Sequence, residues 1–189
     1  MRTMFKGGRL AVILAAFGLL MVAGPVSADE RTCRGTIGAA TVDNLRVPQG
    51  ATCTLQGTNV KGTIKVESNA VLRAFGVRVV GNVQGESARK VVVRDGSRVG
   101  GSVQVKQGGK AKVIASQVNG DIQFDDNSAK SVARRNVVGG NVQAFQNNGG
   151  VAIFNNRIDG NLQCKENSPH PTGGGNIVGG NKEDQCRGF

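Results

Sequence analysis

Apolar and polar residues alternate in a pattern that recurs about every 20 residues from residue 60 to the end of the chain. Seven segments align without gaps on a central glycine: VKGTIKV (60–66), VVGNVQG (79–85), VGGSVQV (99–105), VNGDIQF (118–124), VGGNVQA (138–144), IDGNLQC (158–164) and VGGNKED (178–184). A β-branched residue stands two positions before each glycine, and six segments carry Ile, Val or Leu two positions after it. This alternation predicts a short strand on each side of the glycine.

A second, weaker apolar alternation lies about halfway between successive glycines, as in Val91 with Val93 and Val151 with Ile153. Turn-like stretches separate the two patterns. One such unit cannot bury its apolar face alone, but stacked units bury a continuous core. The interval of about 20 residues between glycines has no room for a strand and a crossover helix. Connections between parallel strands of one sheet favour the right hand. We therefore predict an all-β, right-handed parallel β-helix (β-solenoid) with coils of about 20 residues, one repeat to a coil; an antiparallel sandwich is the alternative.

The repeated glycines predict one corner or edge of the stack, either because they adopt positive φ or because the chain needs room there. They are Gly62, Gly81, Gly101, Gly120, Gly140, Gly160 and Gly180. The residue after each glycine is short and polar, which suits a bend and, less well, a row of calcium ligands. Three positions after the glycine stand Gln84, Gln104, Gln123, Gln143 and Gln163. We expect them to form an amide ladder; a flat polar surface for a ligand is the alternative.

The four cysteines predict a disulfide at each end of the solenoid. Cys33 and Cys53 are 20 residues apart, and Cys164 and Cys186 are 22 apart. Residues one coil apart lie at the strand spacing of about 4.8 Å, which a disulfide accepts. For the second pair this requires an insertion of two residues, which we expect in the loop Ser168–Pro171. No Cys-x-x-Cys or Cys/His cluster indicates a metal site.

Residues 1–28 have the features of a secretory signal peptide. Arg2, Lys6 and Arg9 precede the apolar run LAVILAAFGLLMVAG, and Val26-Ser27-Ala28 resembles a cleavage site. We expect residues 29–189 to form a single β-solenoid domain without a transmembrane segment. The protein is then secreted, extracellular or associated with the cell wall, where disulfides persist.

The excess of positive charge is the main sequence feature that bears on function. Without residues 1–28 the chain keeps 21 Lys and Arg against 13 Asp and Glu, a formal charge of +8. This indicates either solubility or attraction to an anionic partner. Arg78 and Arg98 occupy the same position in neighbouring coils, so we name them as candidate anion-binding residues. Lys61, Arg73 and Lys112 are expected to join them where they face the same way.

Catalytic residues are not evident. The chain has no Trp or Tyr to form a sugar platform. Asp125 and Asp126 are an adjacent acidic pair in the repeats, and neighbours on a strand point to opposite faces. His170, the single histidine, lies between two prolines. We therefore predict no enzyme activity, no catalytic residues, no metal and no cofactor.

The repeat together with the closing segments LQCKENSPHPTGGGN and VGGNKEDQC resembles a group of exported proteins from actinobacteria and related bacteria with no assigned activity. The resemblance covers most of residues 30–189. The segment Val118-Asn119-Gly120-Asp121-Ile122 is also similar to the coils of bactofilins, cytoplasmic polymer-forming β-helices that have neither signal peptide nor disulfides. We expect a non-catalytic secreted or envelope protein that presents a rigid polar surface. The alternatives are a module that binds an anionic envelope polymer and a polysaccharide-active enzyme. For the partner, self-association through the solenoid ends is the alternative to an anionic envelope polymer.

Overall fold

The computed structural model describes residues 29–189, and the predicted signal peptide, residues 1–28, lies outside them. The described chain consists of short strands joined by corners. In chain order the strands are β1 (Glu30–Thr32), β2 (Gly35–Ile37), β3 (Thr41–Val42), β4 (Asn44–Val47), β5 (Thr52–Gln56), β6 (Asn59–Val60), β7 (Ile64–Val66), β8 (Val71–Phe75), β9 (Arg78–Val79), β10 (Val83–Glu86), β11 (Lys90–Arg94), β12 (Arg98–Val99), β13 (Val103–Lys106), β14 (Lys110–Ile114), β15 (Gln117–Val118), β16 (Ile122–Asp125), β17 (Ser131–Arg134), β18 (Val137–Val138), β19 (Val142–Phe145), β20 (Val151–Phe154), β21 (Arg157–Ile158), β22 (Leu162–Lys165), β23 (Thr172–Gly174), β24 (Ile177–Val178) and β25 (Lys182–Asp184).

Every third strand belongs to the same sheet, so the chain winds through three sheets in turn. Sheet 1 contains β1, β4, β7, β10, β13, β16, β19, β22 and β25; sheet 2 contains β2, β5, β8, β11, β14, β17, β20 and β23; sheet 3 contains β3, β6, β9, β12, β15, β18, β21 and β24. All neighbouring strands are parallel, as between β10 and β13 or between β11 and β14. The predicted all-β, parallel solenoid is confirmed, with about eight coils.

Adjacent coils pair with the predicted offset of one repeat. Gln84 lies opposite Gln104, and Val103 lies opposite Ile122, its counterpart in the next repeat. The first coil is shorter, since Glu30 lies opposite Asn44. Because side chains alternate along a strand, this register stacks each inward apolar residue of one coil on the residue at the same repeat position in the next coil.

The core is a continuous apolar column inside the three sheets. Residues on both sides of the glycines are buried, for example Val99 and Val103, as are Val91 and Val93 from the weaker alternation. Phe124 is fully buried and is the largest core side chain. Each coil buries apolar area only because another coil covers it, so the stack rather than the single coil is the stable unit.

The seven glycines form one corner of the stack, as predicted. The backbone N–H of each donates to the carbonyl oxygen of the glycine one coil before, at 2.9 to 3.1 Å, from Gly81 to Gly180. Gly120 and Gly101 are therefore direct neighbours. None of the seven has a positive φ. Close approach is the reason for glycine here: a Cβ at Gly160 would lie 2.7 Å from the carbonyl oxygen of Gly140.

Both predicted disulfides are present, but they are not stacked in register. The Cα atoms of Cys33 and Cys53 are 5.6 Å apart, and those of Cys164 and Cys186 are 5.2 Å apart. Cys53 lies opposite Gly35, two residues after Cys33. Each bridge joins an end coil to its neighbour with an offset of two residues.

The expected insertion at Ser168–Pro171 is wrong. Ala152 lies opposite Thr172 and Leu162 lies opposite Lys182, so the coil through that loop keeps the ordinary length of the repeat. The two extra residues follow β25 instead: Asp184 lies opposite Cys164, and the chain then turns, with the N–H of Cys186 donating to Glu183. The buried Cys186 thus closes the C-terminal end of the core, and Phe189 packs against it.

Replacement of Cys164 and Cys186 together by alanine is expected to lower the free energy of unfolding by about 3 kcal/mol, because the bridge closes a loop of about 20 residues. Urea unfolding of the double variant measures this. The Cys33/Cys53 double variant should lose a similar amount, since its loop is of similar length. Peptide mapping without reductant should yield only the two native links; a Cys53–Cys164 link would contradict the register.

Candidate functional site

Five glutamines form the predicted ladder on the outer face of sheet 1. The side-chain Nε2 of Gln84 donates to Oε1 of Gln104 at 3.1 Å, and the same bond continues through Gln123, Gln143 and Gln163 at 2.8 to 3.0 Å. The last donor, Gln163, bonds a carboxylate oxygen of Glu183 at 2.8 Å. Because a carboxylate only accepts, Glu183 fits the receiving end of the ladder.

The polar residues that follow the glycines bond the backbone of the next coil. Oδ1 of Asn82 accepts from the N–H of Ser102 at 2.8 Å, and Oδ1 of Asp121 accepts from the N–H of Asn141 at 2.7 Å. The same bond recurs from Asn44 to Asn181. The side chains of this row complete the hydrogen bonding of the corner next to the glycines.

Two further ladders are buried in the corners, and the sequence interpretation missed them. At the corner between sheets 1 and 2, Asn127, Asn147 and Asn167 are stacked; at the corner between sheets 2 and 3, Asn136, Asn156 and Asn176 are stacked. All six are at most 6% exposed. The sequence does show asparagine at intervals of one repeat, but these residues lie in stretches that were interpreted as turns.

Except for Asn176, which ends its ladder, each of these asparagines makes bonds in both directions along the solenoid. Oδ1 of Asn147 accepts from both the N–H and Nδ2 of Asn127, at 3.1 and 3.0 Å. Its own Nδ2 donates to the carbonyl oxygen of Phe124 at 2.9 Å and to Oδ1 of Asn167 at 2.9 Å. At the C-terminal end of this ladder, Nδ2 of Asn167 donates to Oε1 of Gln185. Buried amides with complete bonding of this kind fix the register of the coils.

Arg78 and Arg98 lie opposite each other on adjacent strands of sheet 3. Both are exposed, and no ion pair among residues 29–189 includes either of them. Both arginines line a shallow groove together with Val80 and Gly100. The stacked pair is therefore present, while its predicted anion binding stays a prediction.

The three expected companions of this pair are divided between faces. Lys61 is on the same side, two residues after Asn59, which lies opposite Arg78. Its amine pairs with Asp43 at 3.1 Å. Arg73 and Lys112 are instead on sheet 2, where both lie opposite Val92. Of the three, only Lys61 therefore faces the same way as Arg78 and Arg98.

The strands of sheet 2 carry the largest net positive charge of the three sheets. Its eight strands contain six Lys or Arg and no Asp or Glu. We call these six outward residues the cationic face: Arg73, Lys90, Arg94, Lys110, Lys112 and Arg134. By contrast, the strands of sheet 1 include Glu30, Glu86, Asp125 and Glu183. The positive charge of the chain is thus distributed unevenly around the solenoid.

Like charges crowd one another on the cationic face. Partial burial lowers the pKa of Lys90, and the positive charges of Arg73, Lys110, Lys112 and Arg89 lower it further. Lys90 lies directly opposite Lys110 on the neighbouring strand. An anion placed between these amines stabilises their protonated forms and relieves the repulsion.

Among residues 29–189, the remaining candidates Asp125, Asp126 and His170 are not arranged as a catalytic or metal-binding group. Asp125 ends β16, and Asp126 follows it in a corner with a φ of 51°. His170 is exposed, with its Nδ1 3.1 Å from the carbonyl oxygen of Pro171. Residues 29–189 contain no group of three or more His, Cys, Asp or Glu side chains placed to hold a metal ion. The same residues include no helix long and apolar enough to cross a membrane.

Comparison with protein-family models, with curated proteins and with solved structures finds no match for this chain. The resemblances to exported actinobacterial proteins and to bactofilins therefore stay predictions.

Proposed function

We propose that this protein is a non-catalytic exported protein of the cell envelope or the medium, whose solenoid serves as a rigid scaffold. One observation carries the proposal: the regular polar rows are bonded to one another from coil to coil. The glutamines of sheet 1, the residues after the glycines and the buried asparagines all donate or accept along the axis. Side chains held in this way stiffen the rod, and their hydrogen-bonding capacity is used within it.

Two disulfides at the ends of the rod support a location outside the cytoplasm, where such bridges persist. They hold the end coils, which have a neighbour on one side only and would fray first. A scaffold exposed to proteases and changing solvent conditions benefits from ends that cannot open.

The test is expression of the full chain in a bacterium, followed by fractionation and mass spectrometry of the purified protein. We expect the protein in the medium or envelope, with an N-terminus at or near Asp29 and no free thiols. Val26→Glu places a charge in the cleavage site and should prevent processing. The purified protein should release no reducing ends from anionic or neutral polysaccharides. Retention in the cytoplasm with reduced cysteines, or release of reducing ends, would contradict the proposal.

A further inference from the structure

We propose that the cationic face of sheet 2 binds a linear anionic polysaccharide that runs along the solenoid axis and carries about one carboxylate per disaccharide. This inference goes beyond the scaffold function, because binding can fail while export and rigidity remain.

The spacing of charges on this face is regular. Along one row of the sheet, neighbouring coils present Arg73, Val92, Lys112 and Val132. Along a parallel row they present Phe75, Arg94, Ile114, Arg134 and Phe154. Cationic and apolar residues alternate in both rows, so within each row two cations lie two coils apart, about 10 Å at the strand spacing of about 4.8 Å, and the two rows are offset by one coil.

This repeat matches a disaccharide. A pyranose ring in a chain is about as long as the strand spacing, about 4.8 Å, so two sugars span two coils. One sugar of the pair then places its carboxylate at a cation. The other places its apolar C–H face on the intervening Ile114, which is half-buried. The pair Lys90 and Lys110 adds two stacked amines at one edge of the face.

Two of the three arginines of the face are held in place before any ligand arrives. The guanidinium carbon of Arg94 lies 4.6 Å from the centroid of the Phe75 ring, and that of Arg134 lies 5.8 Å from the Phe154 ring. Stacking of this kind restricts both side chains, which lowers the entropy lost on binding. Arg94 also pairs with Asp95 at 3.3 Å, whereas no other member of the face has an ion pair within residues 29–189.

The apolar residues favour a polysaccharide over the other polyanions. Val92 is 7% exposed, and Phe75 and Ile114 are half-buried, so none protrudes to insert between lipids. Guanidinium groups already cover the rings of Phe75 and Phe154, which leaves no free aromatic platform for nucleobases on this face. A ligand of low charge density with apolar ring faces fits this surface best.

The probe is a fluorescent hyaluronate decasaccharide, which has one carboxylate per disaccharide; its carboxyl-reduced form is the neutral control. Binding to the mature protein is followed by anisotropy at about 50 mM salt, where screening is weak. The triple variant K90Q/K110Q/K112Q removes three charges from the face. The matched variant K65Q/K106Q/K165Q removes three exposed lysines from sheet 1. Thermal melting of both variants checks that they remain folded.

We expect the face variant to weaken binding at least about tenfold and the sheet 1 variant less than about threefold, because the charges that contact the ligand matter more than net charge. Binding should also weaken as salt rises to about 200 mM. Equal losses in the two variants, no binding of the probe, or equal binding of its neutral form would overturn the inference. So would tighter binding to oligo-dT or to phosphatidylglycerol vesicles. Loss of binding in R78Q/R98Q alone would assign the site to sheet 3 instead.

Discussion

Replacement of Asn147 by alanine is expected to lower the free energy of unfolding by about 4 kcal/mol, since it leaves several buried polar groups without partners. The N–H and Nδ2 of Asn127 both lose their acceptor, and the carbonyl oxygen of Phe124 loses a donor. Asn127 and Asn147 are fully buried, so water does not reach these groups without opening the corner. Urea unfolding of the oxidised protein measures the loss.

Asn148→Ala is the matched control for this experiment. Asn148 is the exposed neighbour in the same corner, and only its backbone N–H is bonded, to the carbonyl oxygen of Asn127. Its replacement should change stability by less than about 0.5 kcal/mol, as is usual for surface positions. If the two variants were equally stable, the buried ladder would not be a source of stability.

Gly160→Ala is expected to cost about 4 kcal/mol, because it combines overpacking with a broken hydrogen bond. The added methyl group would lie 2.7 Å from the carbonyl oxygen of Gly140 and against Oδ1 of Asn141. That Oδ1 accepts from the N–H of Asn161 at 2.8 Å, and the N–H of Gly160 donates to Gly140 at 3.0 Å. Backbone on both coils must separate to make room, so neighbouring bonds of the corner weaken too.

Gly38→Ala provides the comparison for the glycine corner. A Cβ at Gly38 meets no atom within 4 Å, and its φ lies outside the positive region. Alanine there should be within about 0.5 kcal/mol of the original protein. Thermal and urea unfolding of both variants give the difference, and a Gly160→Ala protein as stable as Gly38→Ala would show that the corner can relax.

The disulfides illustrate how far a period predicts contacts. The period of about 20 residues was sufficient to pair Cys33 with Cys53 and Cys164 with Cys186, because only residues about one coil apart come close. It did not reveal that each pair is offset by two residues. At the C-terminal end the offset arises where the chain turns after β25. At the N-terminal end it arises because the coil is shorter than the repeat, since Gly35 lies opposite Cys53. The repeat carries no information on these end segments.

The buried asparagines show a different limit. Asn127, Asn147 and Asn167 recur at intervals of one repeat, which the sequence displays. Asparagine is typical of exposed turns, so the pattern indicated a turn rather than a core position. The amide becomes favourable inside the corner only because coils on both sides supply its partners.

The sequence by itself determined the class of fold, the strands on either side of the glycines, the glycine corner and the glutamine ladder. Each depends on residues one period apart, and parallel stacking turns that period directly into contact. Only the tertiary structure decided which outward residues share a face. Faces are separated by corners, and several corners rest on single residues with positive φ, such as Gln107, Ala115 and Arg135, whose types do not mark a bend. The sequence therefore left open which side Arg73 and Lys112 face, and the cationic face of sheet 2 became visible only once the corners were placed.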